Sequence, residues 1–370
     1  MSIDLLQLAV PGVRGLLPYQ PGKPLAELER EYGVCNAIKL ASNENPLGPS
    51  PKALAAVAGL LPELARYPDG GGFALKHALS EKLQVTAANI ILGNGSNDIL
   101  EFAARVFVNP NDEVIFSAHA FAIYSIVTQA VGGRAVVIPA HHWGHDLSAM
   151  QRAINPATRL IFIANPNNPT GTWLKQAALQ DFLQAVPERV MVVLDEAYFD
   201  YVEEPDYANG MALLRDYPNL IVTRTFSKAY GLAGLRVGYG VCNDRVADLL
   251  NRVRQPFNVN SLALVAATAA LDDDEHLQRA RALNSAGMRQ LIAGFRELRL
   301  EYIPSVGNFI CVQVGQGARV YEKLLRAGVI VRPVANYGML EHLRITIGLE
   351  QENRRFLEAL QQALDRCGGM

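Results

Sequence analysis

The chain has 370 residues, of which 50% are hydrophobic and 19% charged, and a formal net charge of -2. That size allows two or three domains with sizeable packed cores, and so small a net charge gives no electrostatic case for nucleic acid or an anionic membrane. No apolar run approaches the length of a membrane span, and Cys35, Cys242, Cys311 and Cys367 lie far apart without a C-x-x-C pair, as expected of reduced thiols in a cytoplasmic protein.

Met1 to Leu17 carries Asp4 and Pro11 and lacks a basic start followed by an unbroken apolar stretch, so no signal peptide is expected there. The first forty-odd residues hold too few strand-like runs for a domain. From about Pro46 to Ala270, strand-like runs alternate with helical ones: Ile90–Leu92, Val114–Phe116, Ala135–Ile138, Leu160–Ala164, Val190–Leu194, Leu220–Thr225 and Val237–Val241. This alternation predicts an α/β fold with a largely parallel sheet and helices on both faces.

Within that stretch, Ile90-Ile91-Leu92 runs through Gly93-Asn94-Gly95-Ser96-Asn97-Asp98 into an apolar helical pattern ending at Phe107. A strand, a glycine turn and a helix start make an anion site, because free amides and the helix dipole favour phosphate. The run matches neither G-x-G-x-x-G nor the P-loop, so dinucleotide or nucleotide binding is not indicated. His141, His142 and His145 crowd around Trp143, but their spacing fits no zinc motif and they read as a surface turn, with no metal expected. Leu160–Ala164 leads into Asn165-Pro166-Asn167-Asn168-Pro169-Thr170-Gly171, a turn fixed by two prolines and a glycine, and Trp173 just beyond it reads as packing.

Arg189–Leu194 is a short apolar run ending in Asp195-Glu196-Ala197-Tyr198. Ligands in open α/β sheets bind beyond the carboxyl ends of strands, which places Asp195 where a carboxylate could meet a cofactor. Leu220-Ile221-Val222 then leads to Thr225-Phe226-Ser227-Lys228-Ala229-Tyr230-Gly231, with Arg236 eight residues beyond the lysine. Burial lowers an amine's pKa and favours the neutral nucleophile, while hydroxyls and an arginine supply what a phosphate needs. A lysine beside a phosphate cradle, with an acid for a pyridinium nitrogen, suggests pyridoxal phosphate (PLP). Taken singly, Asp195 could be a helix cap, Asn168 a turn-forming residue and Lys228 part of a surface turn. Three polar strand ends in one region favour a site.

Asp272-Asp273-Asp274-Glu275 opens a helical stretch to about Leu298, the acids complementing the helix dipole. Strand candidates at Asn308–Val314, Val329–Arg332 and Leu343–Thr346, with helices at Ala318–Ala327 and Glu350–Cys367, suggest a smaller α+β lobe. No internal repeat or low-complexity tract is present.

Together, Asn165–Gly171, Asp195–Tyr198 and Ser227-Lys228 resemble the fold-type-I PLP-dependent aminotransferases over nearly the whole chain. Leu17-Pro18-Tyr19-Gln20, Leu40–Pro46, Arg66-Tyr67-Pro68-Asp69 and Leu343–Gly348 are similar to the class-II-like branch of that family that acts on histidinol phosphate. The resemblance implies an arm at 1–45 packing on a small domain at 271–370, and a large PLP-binding domain at 46–270. It implies transamination of L-histidinol phosphate with 2-oxoglutarate to imidazole-acetol phosphate and glutamate, in histidine biosynthesis. Aromatic amino acids are the alternative substrates. A non-catalytic PLP-binding regulator is the other reading, although the basic helix-turn-helix segment such proteins append is absent.

By the same resemblance, Lys228 would be the Schiff-base lysine and proton shuttle, and Asp195 would keep the pyridine nitrogen protonated. Asn168 and Tyr198 would hydrogen-bond the phenolic oxygen. Gly95, Ser96, Asn97, Thr225, Ser227 and Arg236 would hold the phosphate. Phe121, in His119-Ala120-Phe121, falls where many members have Pro-Thr-Tyr and would stack on the ring without offering a hydroxyl. Tyr67 would reach the phosphate of a neighbouring subunit's cofactor, implying a homodimer with shared sites. Tyr19, Asn45, Arg332 and Arg344 would bind substrate, with Arg344 matching the arginine that grips an α-carboxylate. Paired arginines suit a phosphate and a carboxylate in turn, and equally a keto acid with two carboxylates.

Overall fold

The computed structural model describes residues 4–365, so Cys367 and the last residues of the helix expected to reach it lie outside the described residues. Its strands are β1 (Ile38–Lys39), β2 (Ile90–Gly93), β3 (Glu113–Ser117), β4 (Arg134–Ile138), β5 (Thr158–Ala164), β6 (Met191–Asp195), β7 (Leu220–Thr225), β8 (Gly238–Cys242), β9 (Tyr302–Ile303), β10 (Phe309–Gln313), β11 (Val329–Ile330), β12 (Arg332–Pro333) and β13 (His342–Thr346). Seven of them form one sheet in the order β2-β8-β7-β6-β5-β3-β4.

The apolar runs of this sheet divide between its two faces with the period of two that a pleated strand imposes. Leu160, Phe162, Val193 and Ile221 join the helices Ser96–Phe107 and Asp244–Val253 in one core. Ile161, Ile163, Val192, Leu194 and Val222 join the helix Gln176–Ala185 in another. The sheet is parallel except for β8, which runs antiparallel to both β2 and β7. A parallel return needs a crossover, usually a helix. Between β7 and β8 there is only a short 3-10 turn at Ala233–Leu235, so the chain reverses there.

The second sheet, β12-β13-β10-β9, is antiparallel and packs with the helices Asp274–Glu297 and Glu350–Asp365 around Phe295, Ile310, Val312 and Phe356. Two features differ from the expectation. Val329–Arg332 is not one strand: β11 pairs with β1 from the N-terminal segment, and the chain changes sheets at Val331 so that β12 pairs with β13. The arm meets the second sheet from about residue 19 onward, through Tyr19 and Gln20 at Arg332 and through Leu28, which shares a core with Ala41, Leu325 and Ile330. Its earlier helix, Pro11–Arg14, lies instead against Ile123–Ala130, a helix that packs on β4 of the seven-stranded sheet.

Candidate active site

The carboxyl ends of β5 and β6 finish level, with Ala164 opposite Asp195, and β7 runs two residues further, from Thr223 opposite Asp195 to Thr225. Asp195 is buried there, and burial pushes its carboxyl above the usual range while donors oppose the shift. Tyr124 Oη donates to its Oδ2 and Thr223 Oγ1 to its Oδ1, each at 2.9 Å. Tyr124 is held by stacking on Phe162 at 4.6 Å between centroids. The carboxylate is therefore fixed in orientation on the sheet face shared with Tyr124.

Lys228 lies in the reversal between β7 and β8. Gly231 closes that turn at φ +70°, so near Gly48 that a Cβ would sit 2.2 Å from the Gly48 carbonyl oxygen. Lys228 Nζ donates to Ser42 O at 3.0 Å. Burial, and then the positive charges of Arg344 and Arg236, hold this amine down at about 7. Near neutral pH a large fraction of it is the unprotonated nucleophile.

Arg236 marks one end of the surrounding cavity. Its backbone is left-handed at φ +58°, unusual for a bulky residue, and its side chain crosses the start of the helix Ser96–Phe107. A Cβ on Gly95 would fall 2.6 Å from Arg236 Nη2. Gly95 makes no side-chain cap, so the first helical amides face the anion-binding end uncapped. Arg236 Nη1 donates to Ser227 Oγ at 3.3 Å and to Ala233 O at 3.2 Å. It forms no ion pair with a carboxylate among the described residues. Ser96, Asn97, Thr225 and Ser227 line the same end, although Thr225 Oγ1 also accepts from the Ser227 amide at 3.1 Å.

Arg332 and Arg344 form the opposite end as cross-strand partners on β12 and β13. Both are buried, and neither is paired with a carboxylate among the described residues. Arg344 Nη1 donates to Asn168 Oδ1 at 2.6 Å and Nη2 to Ala41 O at 2.8 Å, while its Nε is buried without a partner. Because a guanidinium only donates, Asn168 must turn its oxygen toward it, leaving the amide nitrogen for the cavity. Arg332 Nη2 donates to Gln20 O at 2.6 Å, and the guanidinium lies 5.6 Å from the Tyr19 ring centroid. Tyr198 stands on the wall between the two ends, its phenol pushed up to about 12 chiefly by burial. Both ends, Lys228, Asp195 and Phe121 enclose a cavity of about 420 Å³.

Two of the expected site residues stand elsewhere. Asn45 is buried but does not line the cavity: its amide donates to Ala229 O at 2.8 Å, bracing the residue after Lys228. Tyr67 is 83% exposed, stacked on Phe257 at 4.8 Å, in a separate apolar groove. Around Trp143, His145 turns inward, with Nε2 2.8 Å from Ala164 O, and burial holds it down at about 4. Trp143 packs edge-on against His342, at 5.0 Å. Among the described residues no group of three His, Cys, Asp or Glu side chains could hold a metal ion, and no helix is long and apolar enough to cross a membrane. Tyr124, Thr223, Ser42 and Asn43 join the site although their residue types alone carry no sign of it. The signal for Thr223 was present in its phase, two residues before Thr225 on the same face of β7.

A lysine amine held down near 7 and a buried carboxylate lie at the carboxyl ends of a doubly covered sheet, with arginines at both ends of one cavity that have no carboxylate partner among the described residues; these are the groups that an enzyme of lysine-centred chemistry on anionic small molecules needs. The family model for aminotransferase class I and II matches residues 36–360, and the chain belongs to that family. It is 63% identical over 99% of its length to histidinol-phosphate aminotransferase 2 of Pseudomonas fluorescens, all of which is covered. It is 61% identical to histidinol-phosphate aminotransferase 1 of Nitrosococcus oceani, with 97% of each chain covered. Among solved structures, the histidinol-phosphate aminotransferase of Sinorhizobium meliloti in complex with pyridoxal-5'-phosphate superposes with a TM-score of 0.90 at 29% identity, covering 97% of this chain and 98% of that one. An aspartate aminotransferase of Thermus thermophilus shares the fold at a TM-score of 0.84 and 23% identity, over 96% of this chain and 99% of that one.

Proposed function

We propose that the protein is a PLP-dependent aminotransferase that converts L-histidinol phosphate and 2-oxoglutarate to imidazole-acetol phosphate and glutamate in histidine biosynthesis. The observation that carries this reading is the pair Arg332 and Arg344, buried side by side in the cavity that holds Lys228, with no carboxylate partner among the described residues. Buried charge left unpaired by the protein calls for a ligand anion, and the names of the relatives point to substrates with a phosphate or carboxylates to supply it.

The residues fit PLP. Arg236, Ser96, Ser227 and the helix amides after Gly95 offer the donors and charge a phosphate needs, and position 95, at φ +84°, has the left-handed backbone that favours glycine. Asp195, fixed by Tyr124 and Thr223, would keep a proton on the ring nitrogen. The Asn168 amide and the Tyr198 hydroxyl would donate to the phenolic oxygen, and Phe121 would cover the ring face. When bound, PLP supplies the electron sink next to the substrate's amine-bearing carbon. Lys228, neutral in a large fraction, is the base that takes the proton from that carbon and returns it. Arg344 orients the α-carboxylate of glutamate, and Arg332 with Arg344 takes the histidinol phosphate anion. Assaying histidinol phosphate, phenylalanine and tyrosine, each with 2-oxoglutarate, tests the substrate: a preference for phenylalanine would move the enzyme to the aromatic branch.

The division into an arm at 1–45, a PLP-binding domain at 46–270 and a small domain at 271–370 belongs to the same proposal, as do a cytoplasmic location and a homodimer. Support for the dimer is Tyr67, exposed beside an apolar groove and away from its own chain's cavity. Mixing Lys228→Ala chains with Tyr67→Phe chains is expected to restore activity above either parent, because one site of each hybrid carries neither lesion. A monomer at working concentration would refute the sharing.

A further inference from the structure

The segment Leu40–Asn43 passes between the two sheets with each of its four carbonyls held from a different direction. Leu40 O accepts from the Thr346 amide at 2.9 Å and Ala41 O from Arg344 at 2.8 Å. Ser42 O accepts from Lys228 at 3.0 Å and Asn43 O from Asn308 Nδ2 at 3.0 Å. The backbone of Asn43 is left-handed at φ 54°, and its side chain is buried between Tyr198 and Thr346. A residue so constrained, lining the cavity and in contact with Tyr198, invites the question of what its amide does.

The answer follows from donor and acceptor arithmetic. The Asn43 backbone N–H can only donate, and it donates to Thr346 Oγ1 at 2.9 Å. Thr346 has one hydroxyl proton, which goes to Asn43 Oδ1 at 3.1 Å. The other end of that amide is therefore NH₂, and it donates to Tyr198 Oη at 2.8 Å. Flipping the amide would aim two donors at Thr346 and leave the threonine proton without an acceptor. Tyr198 thus receives a hydrogen bond from the protein, and among the described residues its own proton goes to no protein acceptor. That proton is directed into the cavity.

We propose that Asn43 and Thr346 are positioning residues that set the direction of the Tyr198 hydroxyl, committing it to donate to the phenolic oxygen of the cofactor. This rests on the reading of the site as one for PLP. The groups that face Tyr198 are Arg344, Asp195, Tyr337 and Lys228, the last with Nζ 5.6 Å from its ring, while Phe309 packs edge-on at 4.9 Å. None of these takes the hydroxyl proton in place of a ligand. Thr346 lies two residues from Arg344 on β13 and so on the same face, which lets one strand serve both the anion and the phenolic oxygen.

The test is the pH midpoint of the visible absorption of bound PLP, with PLP affinity measured by dialysis. A donor to the phenolic oxygen favours its unneutralised anionic form, so losing the donor raises the midpoint. Asn43→Asp offers Tyr198 an acceptor in place of a donor; the expected result is a rise of about one pH unit and about tenfold weaker PLP binding. Thr346→Val, which adds no charge, is expected to move the midpoint the same way by less, and Thr346→Ser to leave it in place. Should Asn43→Asp not fold, the valine and serine pair decides. In a Tyr198→Phe background the Asn43→Asp shift should shrink; an equal shift there would show a plain charge effect and overturn the proposal. Unmoved midpoints, with PLP still reductively trapped on Lys228, would overturn the relay alone. Failure of the unsubstituted protein to be trapped at Lys228 would overturn the PLP reading with it.

Discussion

At the Arg236 end of the cavity, the hydrogen bonds of the β7–β8 reversal join residues close in sequence, Arg236 to Ser227 across nine positions and Ser227 to Thr225 across two, and only the helix start at Ser96 comes from farther along the chain. At the Arg344 end they join residues far apart, Arg344 to Asn168 across 176 positions and Arg332 to Gln20 across 312. The first end is made by one strand, one reversal and one helix start, and backbone geometry there leaves few alternatives. The second exists only once the N-terminal segment, the seven-stranded sheet and the second sheet have come together. Short-range construction suits a cofactor's unchanging phosphate. Long-range construction fits the proposal that Arg332 and Arg344 take different anions in turn.

The largest effect expected from breaking the local end is at its lysine. Lys228→Ala removes the proposed nucleophile and proton carrier, and activity is expected to fall by roughly three decades or more. Borohydride should then no longer fix PLP to the chain, and peptide mapping of the unsubstituted protein should place the label on Lys228. A label on another lysine would end the assignment.

At the distant end Arg344→Ala removes the charged donor to Asn168 and, on the proposed reading, to the ligand anion, and a loss of about a hundredfold is expected with glutamate and histidinol phosphate alike. Arg332→Ala should instead raise KM for histidinol phosphate about tenfold or more while affecting phenylalanine less, since an uncharged side chain makes no use of that guanidinium. Equal losses for the two substrates would make Arg332 a brace for Gln20 and Tyr19. Asp195→Asn keeps the shape of the carboxylate but not its charge. At least a tenfold loss of rate is expected, roughly 1.4 kcal/mol of barrier, and a smaller one would leave Asp195 a structural acceptor for Tyr124 and Thr223.

The same difference in range explains what the sequence disclosed. The seven runs of the large sheet and the strand-end positions of Asp195, Asn168 and Lys228 were legible, because apolar period and turn chemistry are local. The antiparallel course of β8 was not, since nothing in Gly238–Cys242 itself states its direction; the clue was the lack of a helix between Thr225 and Gly238. The splitting of Val329–Arg332 between two sheets depends on Ile38–Lys39, some 290 residues earlier, arriving as a partner. Arg332 and Arg344 were recognisable as residue types through resemblance, but that no described carboxylate pairs with them, which gives them their meaning, is a fact of three dimensions. Asn43 is the sharpest case. As a residue it is one more asparagine in Ser42-Asn43-Glu44-Asn45-Pro46, and only its contacts with Thr346 and Tyr198 give it a role.

The smallest expected effect joins the two ends. Burial lowers the Lys228 amine to about 7 from an ordinary 10.5, with the charge of Arg344 the next contribution and that of Arg236 also lowering it. Only the neutral amine attacks, so capture of PLP by the apoenzyme should quicken as pH rises, reach half its maximum near pH 7 and level off about one unit above. About one unit below, it should run at roughly a tenth of the plateau. An amine near its ordinary value would give a rate still climbing throughout that range. Arg344→Ala takes away a positive charge that disfavours the ammonium form, so the midpoint of capture should move upward in that variant. Stopped-flow measurement of the absorbance change across pH would show it. A midpoint near 7 that does not move would mean that burial alone tunes the lysine and that the two ends act independently. An upward shift would show that the arginine assembled from distant parts of the chain also sets the reactivity of the lysine placed by its local turn.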